Sequence, residues 1–163
     1  MKTLIMLSAI PASGKSTWAR SYRDNHEEVY IVSSDEIRME VCGGNFHDQS
    51  KQPLVWKTFE NRIHEYALKS ENATVILDAL NDVNAVRLKY LSTTPEFDRK
   101  ILVLFETSRE KSKYLNKQRD PSVRVPDEAL EMLQNKYETP SEEVLKLVDE
   151  VVHVDWRDFR LDN

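Results

Sequence analysis

The 163-residue chain carries 23 Lys and Arg against 28 Asp and Glu, is 40% hydrophobic and holds one cysteine, the profile of an ordinary soluble domain of common size. A net charge of −5 argues against wrapping double-stranded nucleic acid through a broad basic face, while leaving room for a local basic pocket. Cys42 has no partner for a disulfide or a cysteine-type zinc site, and no apolar run approaches the roughly 18 residues that span a bilayer; one cytoplasmic domain over residues 1–163, with no membrane partner, is expected.

Short apolar runs rich in branched residues alternate with amphipathic stretches, the pattern of a mostly parallel sheet covered by helices. In chain order the reading is a strand at 3–7, a helix at 15–24, a strand at 29–32, helices at 35–41 and 53–70, and a strand at 74–77. A helix at 83–91, a strand at 101–105, helices at 109–118, 126–137 and 141–148, and a strand at 151–154 complete it. Helix 53–70 has the clearest periodicity, with Val55, Phe59, Ile63 and Tyr66 or Ala67 on one face. Pro126 and Pro140 stand where proline opens a helix without losing a needed donor. Trp18, Trp56 and Trp156 read as packing residues. The segments 43–51, with Gly43 and Gly44, and 119–125, with Pro121, read as loops. Ligands of open α/β sheets bind where strands end, so both loops are candidate walls of a site.

The chemistry begins directly after the first strand, with Ser8-Ala9-Ile10-Pro11-Ala12-Ser13-Gly14-Lys15-Ser16-Thr17. A strand, a turn and a helix N-terminus in that order form a phosphate-binding loop. Ser13, Gly14, Lys15, Ser16 and Thr17 would hold the nucleotide, Lys15 would reach the β- and γ-phosphates, and the Ser16 hydroxyl would ligate Mg²⁺. Ala9 stands where the usual pattern has its first glycine, which requires a backbone angle that alanine tolerates.

The second strand leads into Ser34-Asp35-Glu36-Ile37-Arg38. Residues three apart share a helix face, so Asp35 and Arg38 can point together beyond the sheet, Asp35 to take the proton of an attacking hydroxyl and Arg38 to hold an anionic group of the acceptor. The alternative is a helix-dipole acid with an ordinary surface pair. Asp78, at the end of the third strand, is either an acid facing the metal or substrate or a routine turn residue. Lys111, Lys113 and Lys117 read as a solvated helix face, whereas Arg119 and Arg124, in the proline-containing loop, are candidates for a lid cation over the phosphates.

Together these segments resemble the 5′-hydroxyl polynucleotide kinase domain of phage kinase-phosphatase proteins, a branch of the small P-loop kinases. The similarity is carried by Pro11 with the 13–20 stretch, by Ser34-Asp35-Glu36-Ile37-Arg38, by Leu77-Asp78 with Asn81 and Arg87, by Asn116 with Arg119, and by Val125-Pro126. It spans about residues 1–138. The resemblance implies a three-layer P-loop NTPase fold, with a five-stranded sheet and a lid, that uses ATP and Mg²⁺ and takes a DNA or RNA 5′-OH end as substrate. It further implies that Lys15 and Ser16 serve ATP and Mg²⁺, that Asp35 is the general base, that Arg38 binds the acceptor phosphate, and that Asp78 and Arg119 take the strand-end and lid roles. Leu115 stands where the family often has a second lid arginine, and nothing after residue 138 resembles the fused phosphatase. Two other readings share these motifs: a small-molecule or nucleoside P-loop kinase, and a nucleotide-binding regulatory ATPase.

Overall fold

The computed structural model describes residues 1–155; Trp156 lies outside them. The strands are β1 (Thr3–Ser8), β2 (Val29–Ser33), β3 (Thr74–Asp78), β4 (Arg99–Glu106) and β5 (Glu150–Asp155). Between them run helices α1 (Lys15–Asp24), α2 (Ser34–Val41), α3 (Gln52–Ala67), α4 (Asn84–Ser92), α5 (Arg109–Lys117), α6 (Asp127–Lys136) and α7 (Glu142–Lys146). The sheet order is β2-β3-β1-β4-β5 and every pairing is parallel, so the expected α/β architecture is present with a fully parallel sheet.

Alternation along β1 sorts its side chains to two sides. Leu4 and Met6 join Val55, Phe59, Ile63 and Ala67 of α3, Tyr90 and Leu91 of α4, and Val144 of α7. Ile5 and Leu7 face the other way, with Ala19 of α1, Phe105 and the partly buried Trp18 and Tyr22. Both faces are thus covered, which is why the strands read as unbroken apolar runs instead of alternating ones. Each fully buried Leu or Ile side chain contributes on the order of 2 kcal/mol. The expected α3 face is the buried one, with Ala67 inside and Tyr66 at the margin, 6.1 Å from Tyr30. Trp18 packs on Tyr22 and edge-on to Phe105, and Trp56 packs against Phe59.

Element ends differ from expectation for local reasons. β1, β2 and β3 each run one residue past the last apolar position, taking in Ser8, Ser33 and Asp78, because ladder bonding is indifferent to side-chain polarity. α3 stops at Ala67, where the Lys2 ammonium donates to the carbonyls of Ala67 and Ser70. α7 is only five residues long, because Asp149 pairs twice with the Lys100 backbone and draws the chain into β5. No helix among the described residues is long and apolar enough to cross a membrane.

The topology places the site. β1 and β3 are neighbours, yet α1, which follows β1, covers one face of the sheet and α4, which follows β3, covers the other. A crevice therefore opens beyond the C-terminal ends of these two strands.

Candidate active site

The chain leaves β1 into that crevice as the 9–14 turn. Ala9 is fully buried, and its amide donates to the Leu80 carbonyl at 2.9 Å. Among the described non-glycine residues only Ala12, Glu28 and Asn81 have positive φ, so a methyl group at Ala9 meets no backbone objection. The left-handed positions are Ala12 at +54° and Gly14 at +84°. Glycine is at ease there; alanine pays roughly 1–2 kcal/mol. The backbone amides of residues 12–17 donate to no acceptor among the described residues, and the buried Ser13 hydroxyl has no partner either. α1 lacks a side-chain N-cap, with Gly14 in the cap position. Consecutive unpaired amides, a buried hydroxyl and a helix N-terminus are the donor set that a polyphosphate fits.

Asp78, at the end of β3, closes the near side. Its Oδ1 lies 3.1 Å from the Lys15 ammonium, and its Oδ2 accepts the Ser16 hydroxyl at 2.8 Å. Lys15 and Asp78 are both buried, so the charges compensate each other where water is scarce. A hydroxyl beside a carboxylate is a hard-oxygen set of the kind Mg²⁺ takes, usually with phosphate oxygens and water completing its shell.

A strut holds these two strand ends at fixed separation. Asn81, with φ +43°, donates its side-chain amide to the Leu7 carbonyl at 2.7 Å. The fully buried Arg87 donates to the Asn81 carbonyl at 2.8 Å, to the Ser8 hydroxyl at 3.0 Å and to Asn84 Oδ1 at 2.8 Å, and lies 5.2 Å from the Tyr137 ring. Burial lowers the Arg87 pKa, partly offset by the nearby Tyr137, Asp82 and Glu138.

The second wall comes from β2. Ser33 pairs in register with Asp78 and caps α2, its hydroxyl accepting the Glu36 amide. Three residues apart on that helix, Arg38 donates to Asp35 Oδ1 at 2.8 Å. The Arg38 side chain is 11% exposed and that of Asp35 39%, so the pair is a buried guanidinium with a reachable carboxylate, unlike an ordinary surface pair. Arg38 also donates to Gln52 Oε1 at 3.4 Å, lies 6.0 Å from the Phe46 ring, and keeps a buried Nε with no partner.

The third wall is the loop between α5 and α6. Asn116 is buried and closes the loop at its base, donating to the Val125 carbonyl at 2.7 Å and accepting its amide at 3.0 Å. Arg124 donates to the Lys117 and Arg119 carbonyls at 3.1 and 2.9 Å. Asp120 accepts the hydroxyl and amide of Ser122, bonds that hold its carboxyl below the usual range. The Arg119 guanidinium, half-buried, makes no hydrogen bond or ion pair with the described residues. The two arginines are thus told apart: Arg124 fastens the loop and Arg119 is the disengaged cation. His47 of the 43–51 loop and Pro121, Arg124, Val125, Pro126 and Asp127 of this one line a cleft of about 410 Å³. The loops singled out in the sequence face each other across it.

Two residues without a legible motif complete the frame. Ser112 of α5 donates to the Pro11 carbonyl at 2.6 Å, and Gln134 of α6 donates to Ser112 Oγ at 3.1 Å. In sequence Ser112 is one polar residue of a lysine-rich helix, and no spacing marks it as a contact of the phosphate loop.

Known proteins share this fold. Among solved structures, Chaetomium thermophilum Kti12 in complex with ADP-AlF3 superposes with a TM-score of 0.74 at 19% identity, covering 95% of this chain and 90% of that one. A fungal RNA kinase matches with a TM-score of 0.66 at 15% identity over 94% and 73% of the two chains. A gluconokinase from Sinorhizobium meliloti 1021 matches with 0.59 at 17% over 94% and 82%. At these identities the likeness is one of fold: a P-loop, kinase-like α/β domain. No curated protein matches the sequence. Residues 4–140 match the model of the AAA domain family (AAA_33), and the chain belongs to that family.

Proposed function

We propose that the chain is an ATP-dependent polynucleotide 5′-hydroxyl kinase that transfers the γ-phosphate of ATP to a 5′-OH end of DNA or RNA. The observation that carries the reading is the Asp35–Arg38 pair, a reachable carboxylate held at 2.8 Å by a buried guanidinium, one strand away from the Lys15–Asp78–Ser16 cluster. An acceptor needs both a proton taken and a charge matched, and this pair offers one group for each.

In this reading the amides of residues 12–17 and the Ser13 hydroxyl bind the phosphates, and Lys15 turns from Asp78 to the β- and γ-oxygens. Ser16, with Asp78 behind it, would hold Mg²⁺, which would supply charge neutralisation at the phosphates. Asp35 accepts the proton of the 5′-hydroxyl as its oxygen bonds to the γ-phosphorus and the bond to the bridging oxygen of ADP breaks. Arg38 keeps its neighbour's carboxylate in place and turns its unpartnered Nε edge to the phosphate that follows the acceptor nucleoside. Arg119, which has no other engagement among the described residues, supplies the further cation, since Arg124 is committed to two carbonyls. A strand end entering a cleft needs few contacts, so the acidic net charge is no obstacle.

The test is transfer of label from γ-labelled ATP across a panel of 5′-hydroxyl DNA and RNA oligonucleotides, nucleosides and sugars. Label on an oligonucleotide end supports the reading. Label only on a nucleoside or sugar moves the chain to the small-molecule kinases, and hydrolysis without transfer to any acceptor makes it a regulatory ATPase.

A further inference from the structure

Ser112 is fully buried, and its hydroxyl bridges two elements 22 and 101 residues away in sequence. The direction of each bond is settled by chemistry. The atom that Gln134 turns to Ser112 is its amide nitrogen Nε2, which can only donate, so Ser112 Oγ accepts there and its single proton is left for the Pro11 carbonyl. Gln134 is itself buried and anchored by donation to the Arg109 carbonyl at 3.2 Å, so the hydroxyl is aimed from a fixed base.

That carbonyl belongs to the peptide preceding Ala12, the alanine held at φ +54°. In one planar trans peptide the C=O and N–H point opposite ways. With the Pro11 carbonyl drawn onto α5, the Ala12 N–H is turned away from α5, and it is one of the amides that find no acceptor among the described residues. Turning this peptide over would return Ala12 to an ordinary negative φ and reverse its N–H. Alanine's own preference therefore favours the wrong orientation, and something outside the loop must hold the right one.

We infer that Ser112 is a positioning residue of the nucleotide site: its hydroxyl, oriented by Gln134, locks the Pro11–Ala12 peptide with the Ala12 N–H presented to a nucleotide phosphate. This rests on the nucleotide-binding part of the proposed function and is independent of which acceptor is phosphorylated. It also explains how alanine is accommodated where the backbone calls for glycine.

The experiment is a double-mutant cycle on the full chain, read as affinity for methylanthraniloyl-ADP well below the unfolding temperature. Ser112→Ala should weaken binding about tenfold, the size of the left-handed preference that is no longer opposed. In the Ala12→Gly background positive φ carries no penalty, so the same substitution should cost about twofold or less. A contact that only steadies α5 would lower thermal stability equally in both backgrounds and leave the affinity of the folded protein alone. Ser112→Cys, close in size and a weak donor, should fall between, and guards against a folding failure of the alanine variant. Unchanged affinity for Ser112→Ala, or equal losses in the Ala12 and Ala12→Gly backgrounds, overturns the inference. Failure of the unmodified chain to bind the probe overturns the nucleotide-binding reading itself, and this inference with it.

Discussion

Ser16 donates its hydroxyl to Asp78 across 62 residues of sequence, at 2.8 Å, on the same carboxylate that lies 3.1 Å from Lys15. Since Lys15 and Asp78 are both buried, removing either charge alone leaves the other uncompensated. Lys15→Met should therefore abolish phosphoryl transfer and also destabilise the nucleotide-free protein by about 3 kcal/mol. Adding Asp78→Asn should recover most of that stability and none of the activity. Urea unfolding of the single and double variants, with transfer assays alongside, checks both parts; equal stability of Lys15→Met and the unmodified chain would mean that the pair is solvated.

Under the proposed mechanism Asp35→Asn keeps shape and removes the proton acceptor, so the transfer rate should fall by about 10²–10⁴ with nucleotide affinity nearly unchanged. Arg38→Ala should act on the acceptor side, raising KM for an oligonucleotide far more than KM for ATP. Steady-state kinetics with both substrates varied separates the roles. If Asp35→Asn loses nucleotide affinity as well, the carboxylate serves the metal; if Arg38→Ala raises KM for ATP instead, its guanidinium belongs to the donor.

Arg119 and Arg124 sit five residues apart and should behave in opposite ways. Arg119→Ala should lower the rate by on the order of 10³, as loss of a phosphate-facing arginine does elsewhere, with the melting temperature unchanged. Arg124→Ala removes bonds to the Lys117 and Arg119 carbonyls, and should destabilise by about 1 kcal/mol with the smaller effect on rate. Melting curves paired with single-turnover rates test this, and a reversal of the pattern would exchange the two assignments.

Tyr90 is buried against Phe59, and burial together with the nearby Glu60 pushes its hydroxyl pKa up to about 12. A phenol whose folded pKa is raised loses its proton first in the unfolded chain. Stability should therefore be unaffected by this group below pH 10 and should fall as pH rises from about 10 to about 12. The full loss is about 2–3 kcal/mol. In Tyr90→Phe that part of the alkaline decline should be missing, which thermal unfolding between pH 9 and pH 12 would reveal as a difference between the two proteins. Parallel curves would place the phenol in contact with water.

The sequence made the fold legible because each strand is a branched apolar run and the phosphate loop has a strand before it and a helix after it. Asp35 and Arg38 could be paired from a spacing of three, since one helix carries both. The left-handed strain could not be located in the same way: attention falls on Ala9, the missing glycine, whereas the positive φ sits at Ala12, where only the three-dimensional path of the turn reveals it. Ser112 and Gln134 were equally hidden, because a serine that reaches Pro11 from a helix 101 residues later leaves no periodic trace. As loop cations Arg119 and Arg124 could not be told apart from the residues alone, only the resemblance favouring Arg119, and the carbonyls that engage Arg124 are visible only in three dimensions.

The sheet order sets a timetable for synthesis. β1 is made first, yet its two neighbours are β3 and β4, so it has no partner until residue 74 and no second one until residue 99. Since none of its pairings is a local hairpin, the phosphate loop emerges from the ribosome long before anything can shape it. Ser16 has no Asp78 to bond until β3 exists, and Pro11 waits for Ser112 until α5 is complete. A nascent chain stalled after α4 would therefore display the loop without its Ser112 contact, and a nucleotide could not act as a full folding ligand for it until α5 had been made.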